Sequence, residues 1–255
     1  MPELPDVEGF KRYLKRHAAG KRVKDVEVLD RTMLRNASPR ALAEATHGRA
    51  LARPRRHGKW LLTDAGDATV LMHFGMTGLL KWGESRHRHD RIVFSFAGGE
   101  LSYRNMRKFG GVWLAHGERE IEAVTGPLGP DAMDVDADEF DAMLARRRGG
   151  MKAALMDQKL IAGLGNLLAD EILWRAGIDP RRDARTLGHE DRAELHRIMR
   201  DVLTQSNRRA RVPPLPDWLT GARDGRDPDC PRCGAKLRKA TVAGRTACWC
   251  PRCQR

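Results

Sequence analysis

Apolar positions first recur at helical spacing near the start of the chain. Val7, Phe10 and Leu14 share one face of a helix predicted over residues 5 to 19, with Pro5 suited to its first turn and Gly20 to its end. From Lys21 to about His116 the period changes. Short apolar or β-branched runs (Val23 to Leu29, Trp60 to Thr63, Val70 to His73, Ile92 to Phe96, Gly111 to Leu114) are separated by Gly, Asp and Pro, which predicts a sandwich or barrel of short strands. One helix-like insert, Pro39 to Thr46, interrupts them. Helical spacing returns over about 138 to 147, 152 to 162, 167 to 176 and 189 to 206. Between the two regimes, residues 118 to 141 hold nine acids and one base, Arg119, and with Pro127 and Pro130 they read as an interdomain connection. A Pro-containing segment, Val212 to Asp217, leads to a cysteine-bearing tail. The expected fold is α+β: an N-terminal β-sandwich with flanking helices over 1–130, a helical domain over 131–222 and a tail module over 223–255.

Composition adds a partner class. Lys and Arg number 47 against 34 Asp and Glu, giving a formal charge of +13 and an isoelectric point near 10.1. A chain this basic points to a polyanionic partner, although charge alone also fits a merely soluble basic protein. At 41% hydrophobic residues it can bury a core, but with a mean hydropathy of −0.57 it has no apolar run of roughly 18 residues for a membrane span. The polar, punctuated start Met1-Pro2-Glu3-Leu4-Pro5-Asp6 does not resemble a secretory signal, so a cytoplasmic protein is expected, nucleoid-associated if bacterial.

The tail carries the most specific spacing. Cys230-x2-Cys233 and Cys250-x2-Cys253 lie 16 residues apart, so two knuckles can offer four thiolates to one tetrahedral zinc across a short hairpin. Four thiolates close the shell, which makes the ion structural. Cys248 is left over and reads as a half-buried free thiol. Lys236, Arg238, Lys239 and Arg245 surround a predicted turn at Ala243-Gly244, a basic hairpin suited to a DNA backbone or, more blandly, a solvated loop. Upstream, Gly163-Leu164-Gly165 turns the chain between two helices, and Asn166 is expected to cap the second. Free amides there can grip a phosphate, or the segment is only a helical hairpin.

Chemistry enters at the amino terminus. If Met1 is removed, Pro2 becomes a secondary amine titrating near ~8, against ~10.4 for lysine, so about a tenth of it is free base at neutral pH. Condensed with an aldehyde, it yields an iminium that stays cationic without a proton, a ready electron sink for elimination. Glu3 is adjacent and suited to proton transfer.

The opening Met-Pro-Glu-Leu-Pro-Asp-Val-Glu, the Gly-Lys-Trp-Leu-Leu of residues 58 to 62, the helix-turn-helix at 157 to 180 and the terminal cysteine module occur in the order found in the Fpg/Nei family of bifunctional DNA glycosylases. The resemblance spans nearly the whole chain. It implies a helix-two-turn-helix domain, a cleft that takes damaged double-stranded DNA, one structural Zn2+, a monomer, and removal of oxidised bases followed by β,δ-elimination. Pro2 then looks like the Schiff-base nucleophile, Glu3 like the acid/base at the opening sugar, and Lys59 like the strand lysine that contacts phosphate near the reacting sugar and helps proton transfer. Arg245 and Asn166 match phosphate clamps around the lesion, Arg245 standing with the catalytic set. Met76 resembles the residue that fills the void of an everted nucleotide, Arg107 the partner of the orphaned base and Phe109 the wedge. His89, Lys108 and Arg148 are further implied DNA contacts.

Three positions depart from the family pattern. Asp6 stands for a glutamate, and Met106 and Lys108 lie in a loop that usually reads Asp-Pro-Arg-Arg-Phe, so a looser loop and a monodentate phosphate contact are expected. Only about twenty residues separate the last long helix from Cys230, where the 8-oxoguanine enzymes carry a longer lesion-capping loop. Greater activity on abasic, ring-opened and small lesions than on intact 8-oxoguanine is therefore expected. Two rival readings remain: a non-catalytic zinc-stabilised DNA-binding protein, which a retained Met1 would favour, and an RNA-binding zinc-ribbon protein, which leaves Pro2, Glu3 and Lys59 without a role.

Overall fold

The computed structural model describes residues 1–83 and 85–255. The chain divides into two compact units, one comprising Met1–Pro2 and Asp6–Pro127, the other Glu3–Pro5 and Leu128–Arg255. Through the first unit run α1 (Leu4–His17, its first two residues belonging to the second unit), β1 (Asp25–Val28), α2 (Pro39–Thr46), β2 (Arg55–His57), β3 (Trp60–Ala65), β4 (Ala68–His73), β5 (Gly78–Gly83), β6 (Asp90–Phe96), β7 (Gly99–Asn105), β8 (Gly111–Ala115) and α3 (Gly117–Thr125). The second holds α4 (Ala137–Ala145), α5 (Met151–Met156), α6 (Asn166–Ala176), α7 (His189–Arg208), α8 (Leu219–Ala222), β9 (Arg238–Val242) and β10 (Arg245–Trp249). Among the described residues no helix is long and apolar enough to cross a membrane.

Two four-stranded antiparallel sheets, in the orders β1-β6-β7-β5 and β2-β3-β4-β8, form the first unit. Alternation decides which residues meet. Val70 and Met72 of β4 pack with Ile92, Phe94, Leu101 and Tyr103 and with Val7 and Leu14 of α1, whereas Leu71 points the other way and joins Leu62, Ala115 and Ile121. That second face explains a difference from the sequence reading. Part of the acidic stretch is not a connection but α3, which buries Ile121 there and places Glu118 and Glu120 in its first turn, where the helix dipole favours them. Hydrophobic runs also failed to announce β2, β5 and β7. β2 is Arg-Arg-His at the edge of one sheet, and β5 is at the edge of the other, next to β7, whose buried positions include the polar Ser102 and Asn105.

In the second unit, Leu168 to Trp174 are all buried, so α6 is the central helix, packed by α5, α7, α8 and β10, with α4 resting on α7. Leu4 is completely buried in this core, and its N–H donates to the Gly163 carbonyl at 3.2 Å. α5 ends at Met156, earlier than expected, because the Asp157 carbonyl takes the amides of Leu160 and Ile161 and turns the chain toward α6.

Candidate functional site

The amino terminus and α6 are joined by one carboxylate. Glu3 is 1% exposed, and its oxygens accept from the backbone N–H groups of Gly165 (3.1 Å), Leu167 (2.8 Å) and Leu168 (3.1 Å). These are orphan donors of a helix N-terminus, and a negative charge there is favoured by both hydrogen bonding and the helix dipole. The expectation that Asn166 caps α6 is therefore corrected. Asn166 is the first helical residue, Gly165 is the capping position without a side chain to offer, and Glu3 does the capping from 162 residues away. A Cβ on Gly165 would stand 2.3 Å from the Glu3 carboxyl carbon, so only glycine admits it. Gln158 ties the turn together, donating to the Leu164 and Met156 carbonyls and accepting from Gly163 N–H. Asn166 is thereby released, half-buried with its Oδ1 unpartnered, an amide able to present its NH2 to an anion after a half-turn about its terminal bond. Pro2, next to Glu3, is half-buried.

In the first unit the implied groups cluster on three loops. Lys59 occupies the two-residue turn closed by the His57 and Trp60 pair, rather than a strand proper. Beside it stands His73, which sequence reasoning missed. Burial, then the Lys59 charge, pushes its pKa down to about 4, and its Nδ1 faces the Gly75 N–H at 3.3 Å, so the ring is neutral with Nε2 carrying the proton. Met76, on the turn after β4, is 39% exposed; Phe109, on the loop before β8, is 50% exposed and faces the Arg107 guanidinium at 5.3 Å from its ring centre. The two loops are locked together. Asn105, wholly buried, donates to the Phe109 carbonyl (2.6 Å) and accepts from Thr77 Oγ1 and Lys108 N–H (both 3.0 Å), while Thr77 Oγ1 accepts from Arg107 N–H (2.9 Å). Gly75 has its missing Cβ 2.0 Å from the Phe109 carbonyl oxygen. In the loop with the unusual Met106 and Lys108, Asn105 supplies hydrogen bonds to the backbone at Lys108 and Phe109. Lys108 sits at φ 56° with its ammonium 2.8 Å from Asp30, so its charge is met within the protein. His89 is half-buried, its ring facing Arg88 and Arg91, and burial followed by these cations lowers its pKa.

At the carboxyl end, Cys230, Cys233, Cys250 and Cys253 bring four Sγ atoms within 4.8 Å of one another, with facing pairs at 4.0 and 3.6 Å. A tetrahedral zinc about 2.3 Å from each sulfur needs S···S separations of about 3.8 Å, so the donor set fits one Zn2+. Cys248 lies outside it. It is 1% exposed, not half-buried, and burial pushes its thiol up to about 11. The hairpin turns through Ala243 and Gly244, both at positive φ (51° and 69°), which places exposed Arg245 at its tip. Beneath the hairpin is a second group that sequence reasoning missed. Lys152 and Asp170, both fully buried, pair at 2.6 Å; Arg223 binds the other Asp170 oxygen at 2.7 Å; and Lys152 and Arg223 both reach the Thr246 carbonyl. The only hint was a lysine in the otherwise apolar Met151-Lys152-Ala153-Ala154-Leu155-Met156. Arg148 is exposed just before α5.

Comparison with known proteins agrees along the chain. The N-terminal domain of formamidopyrimidine-DNA glycosylase matches residues 1–112, its H2TH domain 128–211, and the zinc finger found in FPG and IleRS 230–255. Formamidopyrimidine-DNA glycosylases of Moorella thermoacetica (38% identical, covering 99% of this chain and 92% of that one) and Stenotrophomonas maltophilia (36%, 100% of each) are similar over their length. Among solved structures, Lactococcus lactis Fpg non-covalently bound to DNA containing an AP site superposes with a TM-score of 0.90 at 29% identity over 99% of both chains, and the same protein with DNA containing N7-benzyl-Fapy-dG gives 0.89 at 28% over 99% of both. With three family domains matched in order and relatives above 30% identity across essentially all 255 residues, the chain belongs to the formamidopyrimidine-DNA glycosylase family.

Proposed function

We propose that this protein excises damaged bases from double-stranded DNA and cuts the strand at the same site, acting as a monomer of the cytoplasm or nucleoid. After loss of Met1, the Pro2 nitrogen attacks C1′ of the damaged nucleotide and the C1′–N bond to the base breaks. Glu3 moves the proton at the sugar-ring oxygen as the ring opens to the iminium. Loss of a C2′ proton then expels the 3′ phosphate, and a second elimination expels the 5′ phosphate. Lys59 and neutral His73 supply a charge and an N–H for the phosphate beside that sugar, while Asn166 and Arg245 hold the flanking phosphates. Met76, Arg107 and Phe109 take the place of the everted nucleotide, offsetting an unstacking cost of a few kcal/mol. Zinc, when bound by its four cysteines, supplies no reaction step; it folds the hairpin that presents Arg245.

The observation that carries this reading is the buried Glu3 carboxylate, anchored by three N–H donors immediately after Pro2. Anchoring fixes the pair's geometry before substrate arrives. The test is borohydride trapping on DNA with an abasic site: a covalent complex is expected, with severe loss in Pro2→Gly. Undiminished trapping in a Pro2 variant with a blocked terminus overturns the nucleophile assignment.

Lesion choice rests on the segment before the zinc module. Trp218, Leu219, Thr220 and Arg223 are all buried, with Thr220 N–H on Glu171 and Arg223 on Asp170. A segment so anchored leaves little chain to close over a base. Abasic, ring-opened and small lesions are the preferred substrates on this reasoning.

A further inference from the structure

Lys59 lies in the turn between β2 and β3. β2 is a three-residue strand at the edge of its four-stranded sheet, and it pairs with β3. On the β3 side the turn is pinned by Trp60, whose ring packs on His73 and Trp113 at centroid distances of 5.0 and 4.9 Å. Arg56 donates from Nη1 to the Gly58 carbonyl at 3.0 Å and from Nε to Glu8 Oε2 of α1 at 3.1 Å, with only 6% of its side chain exposed. The other Glu8 oxygen pairs with Lys11 at 2.8 Å. Burial works against the Glu8 charge, yet hydrogen bonds from Lys11 and Arg56 hold its carboxyl below the ordinary range, so the anchor is ionised at neutral pH.

We propose that Arg56 is a positioning residue that fastens the Lys59 turn to the N-terminal helix through Glu8. The proposal rests on the reading above in which Lys59 serves the reaction. Arginine is required because its rigid fork reaches a carbonyl and a carboxylate at once, and a single ammonium cannot keep both lines of contact. With Glu8 six residues after Pro2 on the same stretch of chain, the strut refers the lysine to the element that begins beside the nucleophile. A misplacement of about 1 Å at such a group costs on the order of 100-fold in rate.

The test is single-turnover cleavage of duplex DNA containing an abasic site, read with the dissociation constant for an uncleavable abasic analogue and with the melting temperature. Arg56→Met should slow cleavage by about 10- to 100-fold while binding changes less than about threefold, and Arg56→Lys should recover only part of the rate. In a Lys59→Met background the Arg56→Met change should have no further effect. Glu8→Gln, which leaves Arg56 in place, guards against misfolding and should follow the same pattern with a smaller loss. Rates that multiply in the double variants, with Lys59→Met itself slow, overturn the positioning role alone. An unimpaired Lys59→Met overturns the reading of Lys59, and this inference with it.

Discussion

Glu3 carries two loads, and they separate under mutation. Removing its carboxylate takes the acceptor from three N–H groups at the start of α6. Loss of a side-chain cap costs about 1 kcal/mol, a partly buried charge at a helix N-terminus adds up to ~2, and a buried donor left unmet costs ~1–3. Allowing for water entering the space, Glu3→Ala should destabilise the second unit by about 2 to 4 kcal/mol. For a chain of this size that is a fall of about 5 to 15 °C in melting temperature, at ~2–4 °C per kcal/mol. Glu3→Gln keeps one carbonyl oxygen but turns an NH2 toward a donor and removes the charge, so roughly half the loss is expected. Differential scanning calorimetry gives the shift, and hydrogen exchange at the amides of residues 165, 167 and 168 localises it. Glu118→Ala on exposed α3 is the control, with an effect within about 0.5 kcal/mol. In activity, Glu3→Gln should impair base excision more than cleavage of a preformed abasic site. A Glu3→Ala protein that melts unchanged with those amides still protected refutes the capping argument.

The purified protein should hold one zinc per chain, and Cys250→Ser or chelation should unfold the hairpin and weaken DNA binding; a metal-free preparation with full activity refutes this. Binding should weaken steeply with salt because neutralised phosphates release counterions, and Arg245→Ala should lower the log-log slope by about one for every sequence tested. An unchanged slope removes Arg245 from the DNA contact. Single-turnover excision of 8-oxoguanine opposite cytosine, measured beside a ring-saturated pyrimidine in one duplex context, should favour the pyrimidine. A strong, cytosine-dependent preference for 8-oxoguanine shows that some other element caps the base.

Features encoded by residues close together were legible from the sequence. Ser38 accepting from Ala41 N–H, with Pro39 at the first position, starts α2 where the spacing predicts it; Ala243-Gly244 turns the hairpin; and two Cys-x2-Cys knuckles form one sulfur cluster. In each, the deciding contacts lie within a few residues or within a hairpin. Tertiary structure decided whatever depends on distant partners. A sequence shows Gly165 and Asn166 at a helix start, but not that Glu3 arrives to cap it, because that bond spans 162 residues and nothing local requires it. β2 pairs at an edge with no hydrophobic signal, α3 forms in an acidic run because one isoleucine finds the outer face of a sheet, and Lys152 is tolerated in a core because Asp170 and the Thr246 carbonyl meet it. Periodicity reports which face of an element is apolar; the fold determines which polar groups find partners, and in this protein those pairings cap α6 and fasten the Phe109 loop.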